Sequence, residues 1–448
     1  MNPEILDGAH MPLWLALPFP GLLLSIALGP IFAKKLWHVH YGKAAAFWAA
    51  LAFVLLIAQE GFALALAGCA HSMLADYLPF MLMLFALYTA GGGIVVSDLD
   101  RATPLVNTAL LAVGTLAASL IGTIGASMIL VRPLLQANAA RKHQVHVMIF
   151  LIFLVANVGG ALSPLGDPPL FFGFLRGVDF FWPLRNLWPP LLLAAGLLLF
   201  VFFCIDSYFF HTEKGATAAR EETRIEIRGF SNLALIAAVI VSLLASAAWH
   251  PGVAVNILGT KLEVQNILRD VALLAIGVAS LALTPRADRE ANHFTWGPFE
   301  EVAKLFAAIF ICIIPILAML AANAQGPFRP VIATLAHPDG TPNHAAYFWA
   351  TGLLSSGLDN APTYLVFFGL AGGDPGRLMG PLAGALAAIS LGAVFMGALT
   401  YIGNAPNFMI YALARRARVP MPGFFGYLAW SGAILVPVFI LVTLVFFR

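Results

Sequence analysis

The sequence predicts an all-α polytopic membrane protein with about ten transmembrane helices and two re-entrant helical hairpins. Of its 448 residues, 60% are hydrophobic and only 10% are charged, and the mean hydropathy is +0.89. A soluble protein carries about 25% charged residues, so a soluble enzyme, an exported factor and a disordered scaffold are excluded. The net charge of +2 is too small to indicate a nucleic-acid partner.

Long apolar stretches supply the spans, because one helical crossing needs about 20 mainly apolar residues. They lie near residues 13–33, 44–68, 79–96, 104–137, 144–176, 188–210, 231–250, 264–284, 302–322, 345–371, 378–414 and 426–447. Lipid offers the backbone no hydrogen-bond partner, which leaves helices or closed barrels as the spanning structures. Continuous apolar runs such as 191–203 contradict the alternating pattern of barrel strands.

Positive residues, which mark cytoplasmic loops, are concentrated in four segments. These are 34–43, 141–142, 211–230 and 415–418. All four can be cytoplasmic only if the stretches 104–137 and 345–371 enter the membrane without crossing it. Each is interrupted near its middle, by Gly-Thr-Ile-Gly at 122–125 and by Ser-Ser-Gly-Leu-Asp-Asn at 355–360. We therefore expect two re-entrant hairpins that enter from opposite sides, an outer N-terminus and a cytoplasmic linker at 211–230.

The two halves of the chain are similar to each other. Residues 160–171 share six of twelve positions with residues 397–408, at a displacement of 237, and 122–127 correspond to 357–362 at a displacement of 235. Because the two copies face opposite sides in the predicted topology, we expect an inverted repeat, as in many secondary transporters. The alternative is that Gly and Pro serve only close helix packing.

The repeat divides a single membrane transport domain that covers residues 1–448. Repeat 1 spans 70–210, with hairpin 104–137 and broken helix 144–176, and repeat 2 spans 264–448, with hairpin 345–371 and broken helix 378–414.

The Gly- and Pro-rich segments inside the repeats predict unwound, oxygen-rich backbone in the middle of the membrane. In the first half they carry Asn157, Ser163 and Asp167. A carboxylate at that depth needs a partner such as a cation or a proton; capping of the following half-helix is the alternative role of Asp167. The second half offers further oxygen donors, namely Asp359, Asn360, Thr363, Thr400, Asn404 and Asn407.

Oxygen donors of this kind suit a hard cation such as sodium. We expect Asp359 and Asp167 to be the ligands that bind either sodium or a proton, with the neutral residues as further ligands or helix caps. A site that binds either ion and opens to alternate sides exchanges them. Glu60 and Arg132, which lie within apolar stretches, are candidates for a proton path; the alternatives are a buried structural contact for Glu60 and snorkelling for Arg132.

The motifs Gly-Gly-Ala-x-Ser-Pro-x-Gly-Asp, which ends at Asp167, and Asp-Asn-x-Pro, which begins at Asp359, resemble those of NhaD-type sodium/proton antiporters. These belong to the ion transporter superfamily, in a bacterial branch also labelled "putative citrate transporter" (CitMHS-like). The resemblance implies that Asp359, Asn360, Ser163 and Asp167 match functional positions of the antiporters. The chain departs from them at residues 124–125, which read Ile-Gly instead of Asp-Asn, and at 168–169, which read Pro-Pro.

The sequence thus predicts a secondary active transporter of the bacterial inner membrane, a sodium/proton antiporter that works by alternating access. The alternative is a sodium- or proton-coupled symporter of a citrate-like carboxylate, and a distant one is an intramembrane enzyme. No nucleophile, histidine-pair or nucleotide-loop motif occurs in the spans, so we expect no enzyme and no cofactor. The expected partners are the lipid bilayer, a monovalent cation and, for the symporter, a small carboxylate; the oligomeric state, including a homodimer, stays open.

Overall fold

A computed structural model describes residues 6–97, 103–213, 226–292, 294–322 and 325–448. Within these ranges nine helices are long and apolar enough to cross a membrane, and a tenth span arises when the bent pair Gly297–Cys312 and Ile314–Ala321 counts as one. Strands are few and short in the described residues. The predicted class, an all-α polytopic membrane protein, is therefore confirmed.

The helices of the first half follow one another in this order: α1 (Pro18–Phe32), α2 (Lys34–Glu60), α3 (Phe62–His71), α4 (Leu78–Gly91), α5 (Pro104–Ile121), α6 (Thr123–Ala137), α7 (Val145–Leu154), α8 (Pro168–Leu175) and α9 (Trp182–Thr212). A short 3-10 turn, Leu13–Ala16, precedes α1, and a π-helical segment, Ser72–Tyr77, joins α3 to α4 without a break.

The second half follows with α10 (Phe230–Ala248), α11 (Val264–Leu283), α12 (Arg286–Ala291), α13 (Gly297–Cys312), α14 (Ile314–Ala321), α15 (Arg329–Thr334), α16 (His344–Gly357), α17 (Asn360–Leu370), α18 (Pro375–Met379), α19 (Ala383–Met396), α20 (Ala405–Arg416) and α21 (Phe424–Phe446). Two antiparallel strand pairs accompany the helices: β1 (Val95–Ser97) with β2 (Glu226–Arg228), and β3 (Ala254–Ile257) with β4 (Thr260–Glu263).

One predicted loop and one predicted span have different boundaries in the structure. Residues 34–43, predicted as a cytoplasmic loop, form the first turns of α2, because the chain reverses directly at Ala33 and α1 packs against α2. The span predicted at 44–68 ends early: Glu60 is the last residue of α2, and Gly61, with φ of +84°, turns the chain into α3. This backbone conformation favours glycine.

Both interrupted stretches form helical hairpins. In the first, Gly122 (φ +80°) separates α5 from α6, and the side chains of Asn107 and Asn138 at the open end hydrogen-bond to each other at 3.0–3.1 Å. In the second, the Tyr347 hydroxyl of α16 donates to the Leu370 carbonyl of α17 at 3.4 Å. In each case residues about equally far from the break meet, so the two helices run antiparallel.

The two predicted broken helices are also broken in the structure. The first consists of α7, a 3-10 turn at Val158–Leu162 and α8, and the second of α19, a 3-10 turn at Gly397–Leu399 and α20. Proline stands in the first turn of both α8 and α20. It lacks an N–H donor, so it is tolerated at a helix start but not in a continuing helix.

The helices form two groups, which we call the frame and the hairpin bundle. The frame comprises α1–α4 and α10–α14, and the hairpin bundle comprises α5–α9 and α16–α21. The groups meet where α4 packs against α6 and α8, and where α13 and α14 pack against α20 and α17. The hairpins and the broken helices therefore all belong to one group and lie against the other.

Candidate functional site

Asp167 lies where the two hairpins meet the first broken helix. It directly precedes α8 and is only 2% exposed. The Thr123 hydroxyl donates to its Oδ1 at 3.1 Å, and the Asn360 amide donates to its Oδ2. Its side chain accepts no hydrogen bond from the start of α8, so the carboxylate joins the two hairpins instead of capping its own helix.

The two donors occupy equivalent positions in the two halves. Thr123 is the first residue of α6 and Asn360 is the first residue of α17, at a displacement of 237. The broken helices show the same displacement, so the value of 235 that we inferred for the hairpins is wrong by two residues. The value of 235 aligns Gly122 with Gly357 because both are glycines. The first residues of α6 and α17 instead give the alignment of the two hairpins in the structure.

Asp359 brings a second carboxylate close to Asp167. It is half-buried, directly precedes α17, and accepts the Ala361 N–H at 3.1 Å. It directly precedes Asn360, whose amide donates to Asp167, so the two acids lie close together. Among the described residues, the hydrogen bonds to Asp167 come from neutral groups, so this pair of acids is a candidate site for a cation or a proton.

Thr363, Ser163 and Thr400 use their hydroxyls to hold the backbone. Thr363 donates to the Asp359 carbonyl at 2.9 Å within the first turn of α17. Ser163 donates to the Ser119 carbonyl, and Thr400 donates to the Ser356 carbonyl at 2.5 Å. The last two bonds are equivalent, because both join a broken helix to its own hairpin across 44 residues. In this structure the three hydroxyls therefore hold the backbone around the site and are not free ligands.

Three buried asparagines connect the two broken helices. Asn157 donates to the Asn407 side chain at 2.7 Å and accepts from Asn404 at 2.8 Å. Asn404 also accepts the Asn407 N–H at 3.1 Å, which caps α20. The Asn407 amide donates to the carbonyls of Gly397 and Thr400 at 2.8 and 3.0 Å. The three predicted ligands thus form one network, which satisfies carbonyls freed by the break.

Glycines let the broken helices fold tightly at the same place in both halves. A Cβ atom on Gly166 would lie 2.2 Å from the Gly160 carbonyl oxygen, and one on Gly403 would lie 2.4 Å from that of Gly397. Both distances are far below van der Waals contact. Only glycine fits at Gly166 and Gly403.

The structure places the two proton-path candidates away from this site. Glu60 is the half-buried last residue of α2 in the frame and not an interior residue of a span, because the helix ends at Gly61. Arg132 lies on α6, and its Nη1 donates to the Ala291 carbonyl at the end of α12 at 3.0 Å. Neither residue contacts Asp167 or Asp359 through a hydrogen bond of the described chain.

A small cavity of about 20 Å³ lies between the frame and the hairpin bundle. Leu84 and Val302 line it from the frame, and Ile124 and Pro406 line it from the bundle. Ile124 directly follows Thr123, and Pro406 lies in the first turn of α20, so the cavity adjoins the first hairpin and the second broken helix. These four side chains are apolar and add no ligand to the site.

Sequence reasoning missed a buried ionic cluster at the open end of the first hairpin. The Asp206 carboxylate contacts Arg141 at 2.5 Å, His146 at 2.8 Å and the Asn107 amide at 2.9 Å. Asp206 lies near the end of an apolar run, and its partners His146 and Asn107 are 60 and 99 positions away in the sequence. No local pattern predicts such contacts. The cluster ties α5 and α7 to α9.

A second buried ion pair was also missed. Arg176, which follows α8, contacts Asp76 in the π-helical segment at 3.0 Å. An acid inside the apolar run at 79–96 would have drawn attention, but Asp76 lies just before that run. Among the described residues, no three His, Cys, Asp or Glu side chains are grouped as metal ligands.

The comparisons with known proteins agree with the fold. The model of a protein family described as "Putative citrate transport" matches residues 8–447, nearly the whole chain. A search of curated proteins finds no match. The family and the helical membrane fold indicate a secondary transporter and point away from an enzyme. The chain therefore belongs to the family described as "Putative citrate transport".

Proposed function

We propose that the chain is a cation-coupled secondary transporter, and specifically a sodium/proton antiporter that works by alternating access around Asp167. One observation carries the proposal: Thr123 and Asn360, the first residues of the second helix in each hairpin, both donate to a single buried carboxylate. A buried carboxylate with neutral donors only is costly unless a cation or a proton balances its charge. A second carboxylate, Asp359, directly precedes Asn360, one of the two donors.

Exchange follows from competition at this pair of acids. Sodium requires the carboxylates to be ionised, whereas a bound proton neutralises one of them. If the site opens to one side at a time, occupancy by either ion moves sodium and protons in opposite directions. The hairpins are re-entrant in this proposal, and the two halves form an inverted repeat. The segment 211–230, of which residues 214–225 lie outside the described part of the chain, is on the cytoplasmic side of a bacterial inner membrane in the same proposal.

A second candidate function is a sodium- or proton-coupled symporter of a citrate-like carboxylate. The description of the matching family favours it. Half-helices that begin beside the site, α8 and α17, direct the positive ends of their dipoles toward it. An anion at these ends would need a co-bound cation, because Asp167 and Asp359 would otherwise repel it.

Purified protein in sealed vesicles with a lumenal pH indicator distinguishes the two functions. For the antiporter, sodium or lithium alone changes the lumenal pH; for the symporter, transport requires citrate or another carboxylate. Asp359→Asn should abolish either activity. Asp179→Asn is the matched control, because Asp179 is a half-exposed acid that pairs with Arg185 at 3.5 Å within the hairpin bundle. Full transport by Asp359→Asn would refute the assignment of the site.

A further inference from the structure

An ion pair connects the frame to the hairpin bundle. The Asp76 carboxylate and the Arg176 guanidinium are 3.0 Å apart, with side chains 6% and 14% exposed. Asp76 belongs to the frame, in the segment between α3 and α4, and Arg176 directly follows α8 of the bundle. The pair therefore joins the two groups, whereas the ion pairs Arg141–Asp206 and Arg269–Asp270 each lie within one group.

Helix α8 packs against the frame beside this pair through aromatic rings. Phe172 of α8 packs against Phe80 and Phe310 of the frame, with ring centroids 5.0 and 5.2 Å apart. Apolar packing depends little on direction, so such a surface permits more than one relative position. A buried ion pair has a defined geometry and is costly to leave with one partner unpaired. The pair therefore selects one position of the bundle against the frame.

The helix that carries Arg176 also leads to the candidate site. Helix α8 has eight residues, with Asp167 directly before it and Arg176 directly after it. At about 1.5 Å per residue, the two ends are roughly 12 Å apart and move together as one rigid segment. A shift of α8 that moves Asp167 relative to the frame therefore also moves Arg176 relative to Asp76.

The π-helical segment supports the same interpretation. Residues Ser72–Tyr77 are wound as a π-helix inside an otherwise α-helical rod, and Asp76 lies in this segment. Such insertions are rare and frequently occur at functional sites. Here the insertion places a carboxylate toward the neighbouring group at the point where the bundle presents its arginine.

We propose that the Asp76–Arg176 pair is a conformational lock, which holds the hairpin bundle in one position relative to the frame and opens during the transport cycle. The inference rests on the proposed alternating-access function, since a lock has a role only if the groups move. Arg141 and Asp206 form a second buried pair of the same chemistry, but both residues belong to the bundle. Loss of that pair should not change how the two groups are arranged.

The test measures the distance between the groups by pulsed electron paramagnetic resonance on the full chain in lipid nanodiscs. One spin label replaces Phe62 at the start of α3, the other replaces Leu184 on α9, and Cys69, Cys204 and Cys312 are changed to Ala. Both label positions are exposed. We expect Asp76→Asn and Arg176→Gln each to raise the population of a second distance at least five-fold.

The controls separate a lock from a merely stabilising contact. The exchanged pair Asp76→Arg with Arg176→Asp should restore the original distance distribution, and Asp206→Asn should leave the distribution of its folded fraction unchanged. An unchanged distribution in both Asp76→Asn and Arg176→Gln overturns the lock, even if vesicles transport as proposed. A shifted distribution of the two variants in nanodiscs supports the lock, even if vesicles with the wild-type protein move neither sodium, lithium nor citrate; that absence of transport would refute the proposed function.

Discussion

The two broken helices share their construction and differ in charge. In both, a hydroxyl binds a hairpin carbonyl (Ser163 and Thr400), and a glycine packs against a carbonyl six residues before it. At the equivalent position before the second half-helix, the first has Asp167 and the second has Asn404. Asn404 caps its own helix, whereas the Asp167 side chain makes no such cap and accepts from both hairpins.

This difference separates two roles that the sequence motif combines. The shared hydroxyls and glycines produce the break in each helix, and the residue at the end of the break decides its chemistry. An amide in the second half connects the two helices to each other through Asn157. A carboxylate in the first half collects donors from both hairpins. Under the proposed function, the first broken helix supplies an ion ligand as well as structural contacts, whereas the second supplies structural contacts.

The substitution Asp167→Asn makes the first broken helix like the second and should have the largest effect. It removes the charge that attracts a cation while preserving the shape of the side chain. We expect a loss of about 3 kcal/mol of binding free energy, or roughly 100-fold in transport rate at subsaturating ion concentration. Ion flux in vesicles measures this. Transport within about twofold of the wild type would remove Asp167 from the site.

Gly166→Ala and Gly403→Ala test whether the two breaks have the same construction. Each new Cβ would overlap a backbone carbonyl oxygen, so we expect a loss of about 1–3 kcal/mol of stability from overpacking in both halves. Thermal unfolding in detergent measures it. Gly196→Ala is the matched control, because a Cβ there meets no atom within 4 Å. A loss at one glycine only would show that the halves are built differently.

Ser163→Ala and Thr400→Val test the equivalent hydroxyls at a smaller scale. Each substitution removes a hydrogen bond to a hairpin carbonyl, which is worth about 1 kcal/mol of unfolding free energy. Ser163→Ala also removes the bond that the Ser163 hydroxyl accepts from the Leu165 N–H at 3.1 Å, so we expect the larger loss in this variant and additive losses in the double variant. A larger loss in Thr400→Val than in Ser163→Ala would contradict this description of the two hydroxyls.

Glu60→Gln and Arg132→Gln should have the smallest effect. Both residues lie outside the pair of acids, and Arg132 contacts only a carbonyl among its described hydrogen bonds. We expect unfolding free energies within about 0.5 kcal/mol of the wild type and transport rates within about twofold, as 0.5 kcal/mol corresponds to that factor. Vesicle flux measures the rates. A tenfold loss in either variant would return that residue to the proton path.

Hydropathy and the positions of the glycines predict most of the fold. Long apolar runs predicted the spanning helices, and Gly and Pro inside those runs predicted the breaks, because both residues weaken a continuing helix. The prediction of a loop at 34–43 is wrong because lysine is a good helix former, and α2 begins at Lys34. Gly61 was the signal that Glu60 ends a helix.

The sequence predicts which residues form the candidate site, but not which of them contact each other. The motifs identified Asp167, Asn360 and the three asparagines, because polar residues inside apolar runs are costly and need partners. The hydrogen bond between Asn360 and Asp167 joins residues 193 positions apart, and no local pattern predicts such a contact. The same holds for Asp76 with Arg176 and for Asp206 with Arg141, which lie at the ends of apolar runs.

Proton release on sodium addition tests the central role of Asp167 most directly. Purified protein in weakly buffered detergent solution receives sodium chloride, with choline chloride as the ionic-strength control, and a pH indicator follows the medium. The account predicts that the wild type acidifies the medium, that Asn404→Ala does so as well, and that Asp167→Asn does not. Equal acidification by Asp167→Asn and the wild type would contradict it.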